Sequence, residues 1–69
     1  MSIVNIISGR IKQRRKELKM SQEVLAGLSG LTCTYIGQIE RGQRKPSIEV
    51  VYKISLALKI SMTDLFKDY

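Results

Sequence analysis

The chain has 69 residues, 43% of them hydrophobic, with one proline, one cysteine, no histidine and a formal net charge of +6. A single cysteine cannot form an internal disulfide, and without histidine the usual four-ligand zinc sites are excluded; the composition is that of a globular chain, not a disordered one. No apolar run approaches the roughly 20 residues of a membrane span and the start lacks a signal peptide's basic and long apolar regions, so the expected location is the cytoplasm, which a lone thiol also suits.

Helical periodicity dominates, and strand signals are weak. A first helix is predicted over 3–19, with Ile7, Ile11 and Leu18 recurring on one side. The same segment holds six bases: Arg10, Lys12, Arg14, Arg15, Lys16 and Lys19. Ser21 reads as the N-cap of a second helix over 21–28, with Val24, Leu25 and Leu28 inward. Gly30 can take the left-handed conformation that a sharp turn demands. Thr32 caps a third helix over 32–41 with Ile36 and Ile39 inward, and Gly42 sits where a helix-ending glycine belongs. Gln43 to Pro46 form a polar loop. Ser47 caps a fourth helix over 47–58, with Val51, Ile54, Ser55 and Leu58 inward. Ser61 with Asp64 three residues on reads as a capping box for a last helix over 61–67. The expectation is an all-α chain of five helices folding as one domain over residues 1–69. So small a core leaves thin stability, made up by idealised helix packing, self-association or both.

The charge is one-sided. Residues 1–45 hold nine of the twelve Lys and Arg and three of the six acids, a balance of +6, whereas the last 24 residues are neutral. Such a field suits a polyanion, nucleic acid above all; a merely solvated helix face is the alternative. The second and third helices, joined by a tight turn at Gly30, have the spacing of a DNA-binding helix-turn-helix. In that geometry the first helix of the pair lies across the phosphates and the second enters the major groove, which admits one helix. Ala26 is the small residue needed where the two helices touch.

The run RIKQRRKELKMSQEVLAGLSG followed by LTCTYIGQIERGQRKPS resembles the helix-turn-helix proteins of the phage repressor and Cro type, also called the xenobiotic-response-element family. The resemblance covers about Ile7 to Phe66. It rests on Ser21-Gln22, Leu25-Ala26, Gly30, Tyr35-Ile36, Ile39-Glu40-Arg41-Gly42, Pro46-Ser47 and Asp64-Leu65-Phe66 in order and at the right spacing. It implies a five-helix fold of the lambda-repressor type, sequence-specific binding of double-stranded DNA, and transcriptional regulation, with no cofactor.

Residue by residue, the resemblance implies base reading by Thr32, Cys33, Thr34 and Gln38. Gln38 is the strongest reader, because its amide can pair with adenine through two hydrogen bonds. Thr32 is also a plain N-cap, a compatible role. Phosphate contacts fall to Ser21, Gln22, Tyr35, Arg41, Arg44, Lys45 and Ser47, with the Gln22 amide at a helix N-terminus. Solvation of Gln22 and solubilising charge at the loop bases remain open beside these roles. Arg15 and Glu40 are expected to form a structural ion pair, for which Arg14 is a competing partner. Two positions depart from the pattern. Gly37 lies mid-helix, where glycine costs roughly 1 kcal/mol relative to alanine, either tolerated or serving a close approach. Cys33 offers only a weakly hydrogen-bonding thiol where polar or basic readers are common.

No histidine base, Gly-rich phosphate loop or paired-carboxylate cleft points to an enzyme. An antitoxin-type module gripping a protein partner is the rival reading, and length favours a stand-alone regulator such as Cro or a restriction-modification controller. Neither a small-molecule ligand nor a membrane partner is indicated. A symmetric homodimer on an inverted-repeat operator is expected, since one recognition helix reads too few base pairs to find a site. On a helical wheel of the fourth helix Leu56 falls with Glu49 and Lys53, opposite Val51 and Leu58. With Met62, Phe66 and Tyr69 it forms the candidate dimer interface.

Overall fold

The computed structural model describes residues 2–67, and these form five α-helices: α1 (Ile3–Glu17), α2 (Gln22–Ser29), α3 (Cys33–Glu40), α4 (Ile48–Ala57) and α5 (Met62–Leu65). Each begins the same way. Ser2, Ser21, Thr32, Ser47 and Ser61 hold extended backbone, and each side-chain oxygen accepts from the N–H three residues on. A cap of this kind satisfies one of the orphan donors of a helix start and contributes about 1 kcal/mol. The helices proper therefore open one residue after the caps.

Their ends share a second device. After each of α1 to α4, one N–H reaches the carbonyl three residues back and the next reaches five back. The pairs are Lys19 to Lys16 with Met20 to Arg15, Gly30 to Gly27 with Leu31 to Ala26, Gly42 to Ile39 with Gln43 to Gln38, and Lys59 to Leu56 with Ile60 to Ser55. This closure requires a left-handed residue. Gly30 (φ 70°) and Gly42 (φ 73°) supply it cheaply, but Lys19 (φ 58°) and Lys59 (φ 54°) supply it as well. The first helix consequently stops at Glu17, short of position 19. The residue after the turn is apolar in three cases, and Met20, Leu31 and Ile60 all pack against the core.

The core consists of Ile7 and Ile11 of α1, Leu25 and Ala26 of α2, Ile36 and Ile39 of α3, Val51 and Ile54 of α4 with the capping Leu58, and Leu65 of α5. α3 packs on α2 and α1, α4 on α2 and α5, and α5 returns to α1. The second helix corrects an expectation. Val24 and Leu28 face outward, 49% and 60% exposed, while Leu25, Ala26 and Ser29 face in. Both triplets have helical spacing, so the periodicity fits either face. Ser29 is the inward choice because its hydroxyl is satisfied locally, donating to the Leu25 carbonyl at 2.7 Å. Leu18, also expected inward, caps α1 and is only half-buried.

Gly9 and Gly27 lie inside α1 and α2 with open space where a Cβ would stand. Gly9→Ala and Gly27→Ala should each raise the unfolding free energy by about 1 kcal/mol, the difference in helix propensity. Urea titration measures it, and a lower midpoint for either variant would contradict the open space around that glycine.

Candidate nucleic-acid interface

The unit that presents α3 is held rigidly from behind. Arg15 Nε donates to Glu40 Oε2 at 2.7 Å and Arg15 Nη2 to Glu40 Oε1 at 3.0 Å, a two-pronged contact from α1 to the last residue of α3. Arg15 Nη1 also donates to the Met20 carbonyl at 2.8 Å. The Glu40 side chain is 2% exposed. Hydrogen bonding to Glu40 raises the Arg15 pKa above its ordinary value; burial opposes the rise and charge attraction assists it. Gln22 joins the pair, its amide donating to Glu40 Oε1 at 3.1 Å. That places the Gln22 side chain inward between α2 and α3, not extended from the first turn.

Arg14 does not compete for Glu40. Its Nε donates to the Leu58 carbonyl at 3.0 Å and its Nη2 to the Lys59 carbonyl at 3.4 Å, while Nη1 meets Glu17. One turn earlier, Arg10 Nη1 donates to the Leu65 carbonyl at 2.9 Å. Cations at helix C-termini satisfy orphan carbonyls and complement the dipole. Three of the bases clustered in α1 are thus engaged with α3, α4 and α5, leaving Lys12 and Lys16 of the helix, and Lys19 just beyond it, as exposed cations. Sequence reading missed the roles of Arg10 and Arg14. Their i, i+4 spacing on one face of α1 is the only local trace.

In front, α3 turns Ile36, Gly37, Ile39 and Glu40 inward and leaves Thr32, Cys33 and Thr34 exposed and Gln38 half-buried. These four residues lie on or beside one helix face, starting at its N-cap. The other candidates are also at the surface. Arg41, Arg44, Lys45 and Ser47 are exposed. Arg41 Nε donates to Gln43 Oε1 at 3.1 Å, and the Arg44 guanidinium stacks 5.4 Å from the Tyr35 ring centroid. Such a stack orients a cation while leaving its donor edges free. The Ser21 and Ser47 hydroxyls accept from Val24 and Val50 N–H groups, and each keeps its own O–H to donate.

Of the residues expected at a dimer interface, Leu56 is 61% exposed, whereas Met62 and Phe66 are half-buried against the core. Tyr69 lies outside the described residues. Two residues that sequence reading passed over accompany Leu56: Ile48, 69% exposed, and Tyr52, 52% exposed, which with it make an i, i+4, i+8 stripe along α4. Beside Ile48 opens an apolar groove of about 200 Å³, lined in part by Ile3, Ile7, Pro46 and Phe66. Among the described residues no group of His, Cys, Asp or Glu could hold a metal ion, and no helix is long and apolar enough to cross a membrane.

Residues 11–65 match the family model described as Helix-turn-helix. The chain is similar to an uncharacterized HTH-type transcriptional regulator of Mycobacterium tuberculosis, Rv0474, with 39% identity over 56 residues. That match takes in 81% of this chain but 40% of the mycobacterial protein, so the chain spans well under half the length of that relative. Among solved structures, the restriction-modification controller protein C.AhdI from Aeromonas hydrophila superposes with a TM-score of 0.88 at 40% identity, covering 91% of this chain and 96% of the other. The controller protein C.Esp1396I, determined as a tetramer in complex with its natural 35 base-pair operator, superposes with a TM-score of 0.89 at 36% identity, covering 97% and 88%.

Proposed function

The chain belongs to the helix-turn-helix family, and from that premise we propose that it is a transcriptional regulator that binds double-stranded DNA in a sequence-specific way, with α3 in the major groove. The observation that carries this reading is the exposed α3 face, with Arg41 and Arg44 packed against α3 residues, the exposed Lys45 next in the chain, and the Arg15–Glu40 pair locking the helix from behind. Thr32, Cys33, Thr34 and Gln38 read bases. Gln38 hydrogen-bonds adenine, while Cys33 packs against a thymine methyl. Ser21, Tyr35, Arg44, Lys45 and Ser47 position the chain on phosphates. The work is binding, with no catalytic step. The 69 residues act as one such domain.

The operative species is a symmetric homodimer on an inverted repeat. A two-fold pair places recognition helices about 34 Å apart, one turn of DNA. The α4 stripe of Ile48, Tyr52 and Leu56 is the contact between the copies, with the neighbouring groove at Ile3 and Phe66 continuing it. The operator-bound tetramer of C.Esp1396I supports assembly of this kind.

Competition between operator and random duplex tests the reading. The DNA upstream of the chain's own gene is the first operator candidate. Gln38→Ala should weaken operator binding by roughly 1–3 kcal/mol while leaving random-duplex binding nearly intact. Lys45→Ala should weaken both alike. With about eight phosphates neutralised by a dimer, log K should fall with log salt at a slope near −7. A slope shallower than about −2 would remove DNA as the partner of the basic field, and equal losses on both DNAs for Gln38→Ala would remove it as a reader.

A further inference from the structure

Gly37 is buried although it lies on the recognition helix, and what buries it is polar. A Cβ built there would stand 3.0 Å from Arg41 Nη1 and 3.5 Å from Gln22 Oε1. The guanidinium of Arg41 therefore lies back along α3 by one turn, tight against the position a Cβ at residue 37 would take, and the Gln22 carbonyl borders the same position.

The orientation of that carbonyl has a definite cause. Glu40 is acceptor-only when ionised, so the Gln22 amide must present its nitrogen to it, as the 3.1 Å contact records. Its oxygen is then turned away from Glu40, toward the space over Gly37 that Arg41 Nη1 also borders. On the far side Arg41 is held by Gln43 through Nε, so its Nη groups are the ones directed toward Gln22. Among the described residues no carboxylate lies within salt-bridge distance of Arg41. The result is an exposed, oriented guanidinium without a counter-ion, seated where the first turn of α2 meets α3.

We propose that Gly37 is a positioning residue: by leaving its Cβ site empty it seats Arg41 beside Gln22, so that Arg41, rather than the inward-bound Gln22 side chain, binds the DNA phosphate at the start of α2. This rests on the DNA-binding reading above and adds a residue that itself touches no DNA. Glycine at position 37 weakens the helix. An alanine there restores helix propensity and displaces the flexible end of Arg41. Stability and DNA affinity must then move in opposite directions, which a purely structural glycine would not produce.

The test uses the whole chain and a labelled random-sequence duplex, because a phosphate contact is independent of sequence. Gly37→Ala should melt no lower than wild type yet bind roughly tenfold more weakly at low salt, the scale of one charge-assisted hydrogen bond. Its log K against log salt should be shallower by about 0.9 per protomer. Arg41→Ala should show the same loss, and the double variant no further loss. Gly27→Ala, a glycine with open space, should leave binding unchanged. Wild-type affinity and slope in Gly37→Ala would overturn the proposal, as would additive losses in the double variant. Should Gly37→Ala fail to fold, Arg41→Ala still decides, since an unchanged salt slope there removes the phosphate contact itself. A wild-type chain that shows no salt-dependent binding would overturn the DNA reading and this proposal with it.

Discussion

Arg15→Ala is expected to lower the unfolding free energy by about 3–5 kcal/mol, because it strands Glu40 as an uncompensated charge in a buried site. The Glu40 carboxylate has almost no contact with water and takes two of its three hydrogen bonds from Arg15. The remaining donor, the Gln22 amide, is neutral. At roughly 0.05–0.15 kcal/mol per residue, a chain of this length has little stability to spare, so the variant should be largely unfolded near physiological temperature. Glu40→Ala alone should do less, since a guanidinium reaches water more easily than a buried carboxylate. The double variant should be more stable than Arg15→Ala, because the stranded charge is then gone. Denaturant titrations of the four proteins give the coupling directly. Small, additive effects would mean that the pair contributes nothing to the fold. The raised Arg15 pKa fixes the pH window. A cation with its folded pKa above the unfolded value stabilises fully below the unfolded value, and the contribution is lost only as pH rises through the folded one. That lies above the ordinary guanidinium range, so the pair holds throughout the physiological range.

Leu56→Asp is expected to leave the protomer folded and to lower operator affinity by roughly 10²–10⁴-fold, the gain that linking two binding units confers. Leu56 lies outside the core, so its loss leaves no cavity in the protomer. If the α4 stripes pair as proposed, a carboxylate at position 56 would be desolvated within the contact between the copies, which opposes association strongly. Sedimentation at micromolar concentration should turn from dimer to monomer, and the operator titration should separate into two weak half-site events. A wild-type chain that sediments as a monomer with operator present, or a Leu56→Asp variant that binds as tightly as wild type, would remove α4 from the interface.

The helices were legible because each start carries a Ser or Thr whose side chain has one obvious use, and because α1 and α3 have one dominant apolar face. α2 was not, because Val24-Leu25-Leu28 and Leu25-Ala26-Ser29 share one spacing, and only the hydroxyl's local partner separates them. The left-handed Lys19 and Lys59 were illegible for a related reason. Lysine gives no signal for positive φ, and the turn is imposed by the apolar Met20 and Ile60 docking on the core. The candidate site shows the same division. Outward α3 residues follow from helical phase, but the use of a charge depends on what folding brings near it. Arg10 and Arg14 belonged to one basic run with Lys12 and Lys16 until α4 and α5 returned beside them. Tyr52 and Ile48 were obscured because a partly covered fourth helix offers apolar residues on more than one side.

The two left-handed lysines bear on how long such a molecule lasts in a cell. A lysine held at positive φ gives up roughly 1–2 kcal/mol relative to the ordinary helical basin. Each kilocalorie multiplies the transiently open population by about five. Proteases that capture open chains work in proportion to that population when closing is fast. Strain at two helix ends therefore enlarges the open population, and with it the exposure of the chain to such proteases.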